Sequence, residues 1–435
     1  MYHPDQDCTI HRLVVKNLES GTYEYQVGLE GMWSDLANFE VKEYTGNQSE
    51  HIKFLQISDQ QGWYESEYQA WRWASKFIEN NESEEDWDFS LNTGDISQNG
   101  LRPFEWRYYY KYTNINKEKP HMLVCGNNDL AENKIYSYGF KYYDTQEEEA
   151  DVNANIQGNK PYASCHSHDL GFVHFVVMNS NTAEDSDLMV KQFCWIKQDV
   201  EQARAREIPP RWFVLIAHHG ALTVCRMKGV QQMIPFVEDI GFDVVICGHH
   251  HTYSRSKPIK MNIRSQVEEI IGGDLYRNAT GDGSKINNAV YSIGYLEAFR
   301  DKNNNPAPPK GCTADQTTQE GANGNIASET NYVNYKNGTY WIMCQATGFK
   351  LKSNKDLEKN PIPWWYGWQG AHPYLPTYIM WDFGYNEIHI VAKGINGIVQ
   401  QDQVSKDMIN NPNCSMATMS ETIIDEITIK HKSLR

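Results

Sequence analysis

Residues 242–255, FDVVICGHHHTYSR, constrain this chain more than any other stretch. An apolar, β-branched run stops at Cys247-Gly248, and three histidines follow at once. A short apolar run bounded by glycine reads as a buried strand of a parallel sheet. Ligands of open α/β sheets sit beyond the carboxyl ends of such strands. His249, His250 and His251 are therefore delivered to the place where a site would form. Gly248 allows the irregular backbone that lets residues two apart face one cluster, and imidazole is a common ligand of transition metals.

The segments around this strand repeat its logic. From residue 50 onward, HIKFLQIS, DFSLNT, HMLVC, FVHFVVMNS and RWFVLIA read as strands, while EYQAWRWASKFIEN, DLMVKQFCWIKQDVEQARA and VQQMIPFVEDIG read as helices. The expectation is an α/β layered domain over 50–435. GTYWIMCQATG, YIMWDFG, EIHIVAKG and DEITIKH add strands towards the end, and the Gly/Pro/Asn-rich stretch 301–330 reads as a long loop or insertion. Before residue 50, CTIHRLVVKNL, GTYEYQVGL and SDLANFEVKEY alternate as three strands, too few for an independent sandwich. The acidic run ENNESEE leading into EDWDFS reads as a solvated loop. Pro363, Trp364, Trp365, Tyr366, Gly367 and Trp368, near His372, form an aromatic patch that either packs a loop or offers a platform for a sugar, nucleobase or aryl group.

Composition narrows the function classes. A formal net charge of −16 over 435 residues argues against a nonspecific nucleic-acid binder, and no run approaches the ~18 apolar residues of a membrane span. Nine scattered cysteines are not a disulfide framework. The opening MYHPDQDCTI has no apolar h-region. A truncated start would move the expected location to the exterior, a lysosome or a vacuole.

Five strand ends carry Asp59, Gly94-Asp95, Gly126-Asn127, His218-His219 and Gly248-His249-His250-His251. Singly, each is an ordinary turn residue. Together they offer what two cations ~3.5–4 Å apart require: a shared carboxylate, imidazoles and an amide oxygen.

In this order the motifs resemble those of the calcineurin-like metallophosphoesterases, and most of all the purple acid phosphatase-like branch, where GHxH runs on into Tyr-x-Arg, here Tyr253-Ser254-Arg255. Residues 1–49 look like the C-terminal part of the fibronectin-type-III-like β domain that precedes that catalytic domain. The resemblance implies two divalent or trivalent ions (iron, zinc or manganese). Asp95 would bridge them, Asp59 and His251 would hold one, and Asn127, His218 and His249 the other. It implies hydrolysis of a small phosphorylated substrate by in-line attack of an activated water.

The chain departs from the family in three places. Gln98 stands where the purple enzymes have an iron-binding tyrosine, so no purple colour is expected. Asp59-Gln60-Gln61 replaces D-x-H, leaving the first metal short of a ligand unless Gln61 lends its amide oxygen. Asn128 replaces the histidine that assists the leaving group, and His219 and His250 are the candidates to take over. The expected function is an acid phosphatase acting on phosphomonoesters. The alternatives are a phosphodiesterase or nucleotidase on the same fold, or a non-catalytic surface binding module.

Overall fold

The computed structural model describes residues 13, 15–83, 86–113, 115, 118–129, 165–181, 186–222, 230–256, 258–276, 284–293, 313–314, 331–332, 338–351, 375–398 and 419–431. Near the start, β1 (Gly21–Tyr25), β2 (Gly28–Leu29), β3 (Met32–Trp33) and β4 (Ala37–Val41) form two antiparallel pairs, β1 with β4 and β2 with β3. The strand expected over 8–18 is absent from the described part of that stretch, where Leu13 and Val15 are exposed.

The chain then enters β5 (His51–Ile57), β6 (Phe89–Asn92) and β7 (His121–Leu123), followed by β8 (His166–Leu170), β9 (Val173–Val177), β10 (Trp212–Ile216) and β11 (Val244–Cys247). Short strands β12 (Ser254–Arg255), β13 (Ile259–Lys260), β14 (Thr313–Ala314) and β15 (Asn331–Tyr332) lead to β16 (Tyr340–Met343), β17 (Thr377–Gly384), β18 (Glu387–Asn396) and β19 (Ser420–Lys430). They build a six-stranded sheet in the order β12-β16-β11-β10-β9-β8 and a seven-stranded sheet in the order β15-β19-β18-β17-β5-β6-β7. Parallel pairing runs through β16, β11, β10 and β9 in the first and through β5, β6 and β7 in the second.

The two sheets stack face to face. Phe54, Trp381 and Phe383 from one meet Phe175, Val214 and Ile246 from the other in a continuous apolar core, where Phe54 stacks on Trp381 at 5.5 Å between centroids. Helices Ser186–Arg204 and Met233–Ile240 cover the outer face of the six-stranded sheet, and helices Gln69–Asn81 and Pro103–Tyr112 cover that of the seven-stranded one. Burial on both faces is why WFVLI and VVIC carry no polar residue. The expected α/β layers are therefore present as α/β/β/α, with antiparallel pairs at both edges of the six-stranded sheet and through the middle of the seven-stranded one.

Two expectations need correction. The acidic run is not simply solvated: the Glu82 side chain is 5% exposed and accepts hydrogen bonds from Tyr378 and Lys393. Within 301–330, Thr313–Ala314 is a strand paired with β13. The aromatic patch 363–368 and His372 lie outside the described residues. Among the described residues no helix is long and apolar enough to cross a membrane.

Candidate metal centre

All the candidate residues leave the carboxyl ends of parallel strands. Asp59 and Asp95 follow β5 and β6, Asn127 follows β7, and His218 and His249 follow β10 and β11. The backbone there is forced. Of six non-glycine residues with positive φ among those described, four are Asp59 (55°), Asp95 (56°), His249 (80°) and His251 (55°). Such geometry costs of order 1–3 kcal/mol per residue and persists only where surroundings impose it. Gly248 imposes part of it by close approach: a Cβ there would lie 2.1 Å from Ser58 Oγ. A Cβ on Gly94, at φ 104°, would lie 2.7 Å from both Gly126 N and His218 Nδ1.

The side chains converge in two groups. His218, His219 and His249 bring their ligand atoms within 4.8 Å of one another, as do Asp59, Asp95 and His251. Asp95 connects them, since its Oδ1 lies 3.3 Å from His218 Nε2. Asn127 joins the histidine group through Oδ1, 3.2 Å from the same nitrogen. His250 is buried and stands beside His249, with ring centroids 4.8 Å apart, but belongs to neither group.

Three of the imidazoles are oriented from behind. His218 Nδ1 meets the Thr93 carbonyl at 2.7 Å, and His251 Nδ1 is held by the Lys350 carbonyl. A carbonyl accepts only from N–H, so both rings carry a proton on Nδ1 and turn Nε2 into the site. His251 Nε2 then lies 3.4 Å from Asp59 Oδ1. Ser180 Oγ holds His219 at Nδ1, 2.9 Å away. The Nε2 of His218 faces Nδ1 of His249 at 3.2 Å, a contact that needs a proton or a cation between the two nitrogens.

The electrostatics agree. Burial pushes the Asp59 carboxyl up, and nearby Asp95 adds to it against the imidazoles of His251 and His218. Burial also opposes ionisation of Asp95, but His218 and His249 outweigh it and hold that carboxyl well below the usual range. Burial alone would lower His218, yet Asp95 and Asp59 lift it to about 9. Buried carboxylates here demand positive charge. Buried Asp59 Oδ1 and Gln61 Oε1 accept no hydrogen bond, and carboxylate, imidazole and amide oxygen suit iron, zinc or manganese. The donor set fits a metal.

The three departures are placed by this geometry. Gln61 Nε2 lies 3.3 Å from His251 Nε2; turning the amide over would direct its oxygen to the same point. Gln98 Nε2 donates to Asn128 Oδ1 at 2.9 Å, and Asn128 Nδ2 donates to Asp95 Oδ2 at 2.7 Å. Two of the replacements are thus partners, joined in a chain of amides ending on the central carboxylate. Asp129 was not singled out in the sequence, although its carboxylate accepts the N–H groups of Asp95, Ser97 and Gly126 at 2.8 to 3.0 Å. Its signal was its place directly after Gly126-Asn127-Asn128. Burial, with Asp95 beside it, raises its carboxyl to about 6.

Residues 52–253 match the family model of calcineurin-like phosphoesterases. This segment is a calcineurin-like phosphoesterase domain. Purple acid phosphatase 21 of Arabidopsis thaliana is 25% identical over 193 residues, 40% of this chain and 40% of its own. Purple acid phosphatase 18 of the same plant is 23% identical over 180 residues, 39% of this chain and 38% of its own. These matches span about two fifths of the length of either relative and support the purple acid phosphatase-like branch within this metallophosphoesterase hydrolase family. The solved structure of a purple acid phosphatase from yellow lupin (Lupinus luteus) seeds shares the fold over 94% of this chain and 59% of its own, with a TM-score of 0.51 and 14% identity.

A cavity of about 580 Å³ lies elsewhere, lined by Tyr44, Phe89, His121 and His166. None of the candidate ligands lines it, so the chemistry of the histidine cluster is not housed there.

Proposed function

We propose that the phosphoesterase domain hydrolyses phosphomonoesters at a pair of metal ions, in the manner of an acid phosphatase. The observation that carries this reading is the pair of ligand groups joined through Asp95. Asp59, Asp95 and His251, with the Gln61 amide oxygen, would hold one ion. Asp95, Asn127, His218 and His249 would hold the other. Such ions supply Lewis acidity to the phosphoryl oxygens and lower the pKa of the attacking water.

The rest falls to the chain's own side chains. Thr93 and Lys350 fix the imidazole tautomers through their carbonyls. The Gln98–Asn128 amide chain holds Asp95 in place. Of the two candidates for protonating the leaving group, His219 has the better support. Ser180 anchors its ring, which stands 4.3 Å from that of His249 between centroids, while His250 lies outside both groups. Residues 1–49 we assign to the closing part of a fibronectin-type-III-like domain, a reading supported by the antiparallel pairs around β1 and β4, and residues 50–435 to the catalytic domain.

The test is hydrolysis of para-nitrophenyl phosphate against bis-para-nitrophenyl phosphate with iron, zinc or manganese supplied in turn. Metal-dependent turnover favouring the monoester is expected. Preference for the diester would transfer the domain to phosphodiester chemistry, and no turnover with any metal would reject catalysis.

A further inference from the structure

Two loops leave the carboxyl ends of β5 and β6 side by side, tied by the Gln61 N–H donating to the Asp95 carbonyl at 3.0 Å. Trp63 lies on the first, two residues past Gln61, so their Cα atoms are at most ~7 Å apart. Its backbone N–H donates to Glu67 Oε2 at 2.5 Å, which fixes the root of the side chain. Arg102, on the second loop, stands with its guanidinium carbon 4.6 Å from the Trp63 ring centroid.

Arg102 is tied back to the metal centre through a continuous set of contacts. It pairs with Glu105 at 3.4 Å, and Glu105 accepts the backbone N–H of Gln98 at 2.8 Å. Gln98 in turn holds Asn128, which holds Asp95. The stacked pair is therefore joined through this relay to the central carboxylate, on loops that leave the same strand ends as Asp59 and Asp95.

Trp63 is 39% exposed and, with Trp33, is one of two tryptophans among the described residues left in solvent. Tyr64 and Leu101 beside the pair are exposed as well. An indole backed on one face by a guanidinium presents a flat surface for a second ring at little entropic cost.

We propose that Trp63, backed by Arg102, is the subsite for the leaving group of a phosphate ester of a flat aromatic alcohol. The inference rests on the phosphoesterase reading of the metal centre and adds the class of substrate. Trp63 acts here as a specificity determinant, touching the ring that departs, while the metal ligands hold the phosphoryl group.

Phenylphosphonate and methylphosphonate, which are not hydrolysed, test it without reference to turnover. Calorimetric titration of the metal-loaded protein should show roughly tenfold tighter binding of phenylphosphonate. Trp63→Ala should abolish that preference and leave the Kd of methylphosphonate unchanged, while Trp63→Phe should keep part of it. A preference that survives Trp63→Ala, or an equal loss for both ligands, would overturn the subsite. Methylphosphonate binding with no phenyl preference in the unaltered protein would overturn the subsite alone. Failure of both to bind would overturn the metal-centre reading and the subsite with it.

Discussion

The two sheets contribute unlike chemistry to one site. The six-stranded sheet delivers imidazoles, His218 and His219 from the end of β10 and His249 to His251 from the end of β11. The seven-stranded sheet delivers Asp59, Asp95 and Asn127. All three departures from the family pattern, Gln61, Gln98 and Asn128, lie on the carboxylate side. The two sides also differ in how they are held. Backbone carbonyls orient His218 and His251, whereas Asp95 is held by the side-chain amide of Asn128 as well as by its backbone N–H. Backbone restraints follow from the fold and are hard to retune. Side-chain restraints can change by substitution, and that is the side on which this chain differs.

If both sides serve one centre, removing the residue between them should have the largest effect. Asp95→Asn is expected to lower metal-dependent turnover about 10³-fold or more with the circular dichroism spectrum retained, and His249→Ala should match it from the other side. Near-normal turnover in either variant would separate the two sheets functionally.

A smaller effect is expected where the carboxylate side has been altered. Gln61→Ala should weaken one metal ion by roughly 10- to 100-fold in equilibrium dialysis and leave the other unchanged; equal weakening of both would deny Gln61 a place at one ion. The Gln98–Asn128 pair should show itself as non-additivity. In a double-mutant cycle on unfolding free energy, Gln98→Ala and Asn128→Ala should couple by about 1 kcal/mol, and additive losses would mean the amide chain is incidental.

The smallest effect concerns the carboxyl behind that chain. Burial pushes Glu105 up to about 7, although the N–H groups of Asn99 and Gln98 and the Arg102 guanidinium work against it. Its folded value exceeds its unfolded one, so its stabilising contribution is complete below about pH 4.5 and disappears as the pH rises through about 7. Urea denaturation should show the unaltered protein losing about 2 kcal/mol over that window relative to Glu105→Gln, after allowance for solvent screening. A flat difference between the two would place the carboxyl at its ordinary value.

Much of this comparison was legible in the sequence because it depends on patterns a single segment carries. Fully buried strands such as β10 and β11 must be apolar throughout, and ligands at parallel strand ends must follow them directly. The helix Pro103–Tyr112 was missed because its tyrosine-rich run does not resemble an amphipathic helix, although Pro103 at its first position was a usable sign. The orienting groups were not legible for a deeper reason. The carbonyls of Thr93 and Lys350 act through backbone atoms that every residue has, and only the fold brings them to His218 and His251. The Gln98–Asn128 partnership was hidden in the same way: each replacement was visible, but their contact spans 30 residues.

The most direct measurement is a count of bound metal. Metal-free protein dialysed against manganese, zinc or iron should take up two ions per chain, with Asp59→Ala retaining one and Asp95→Ala weakening both. One ion or none in the unaltered protein, or two ions undiminished in Asp95→Ala, would contradict a paired centre shared between the two sheets.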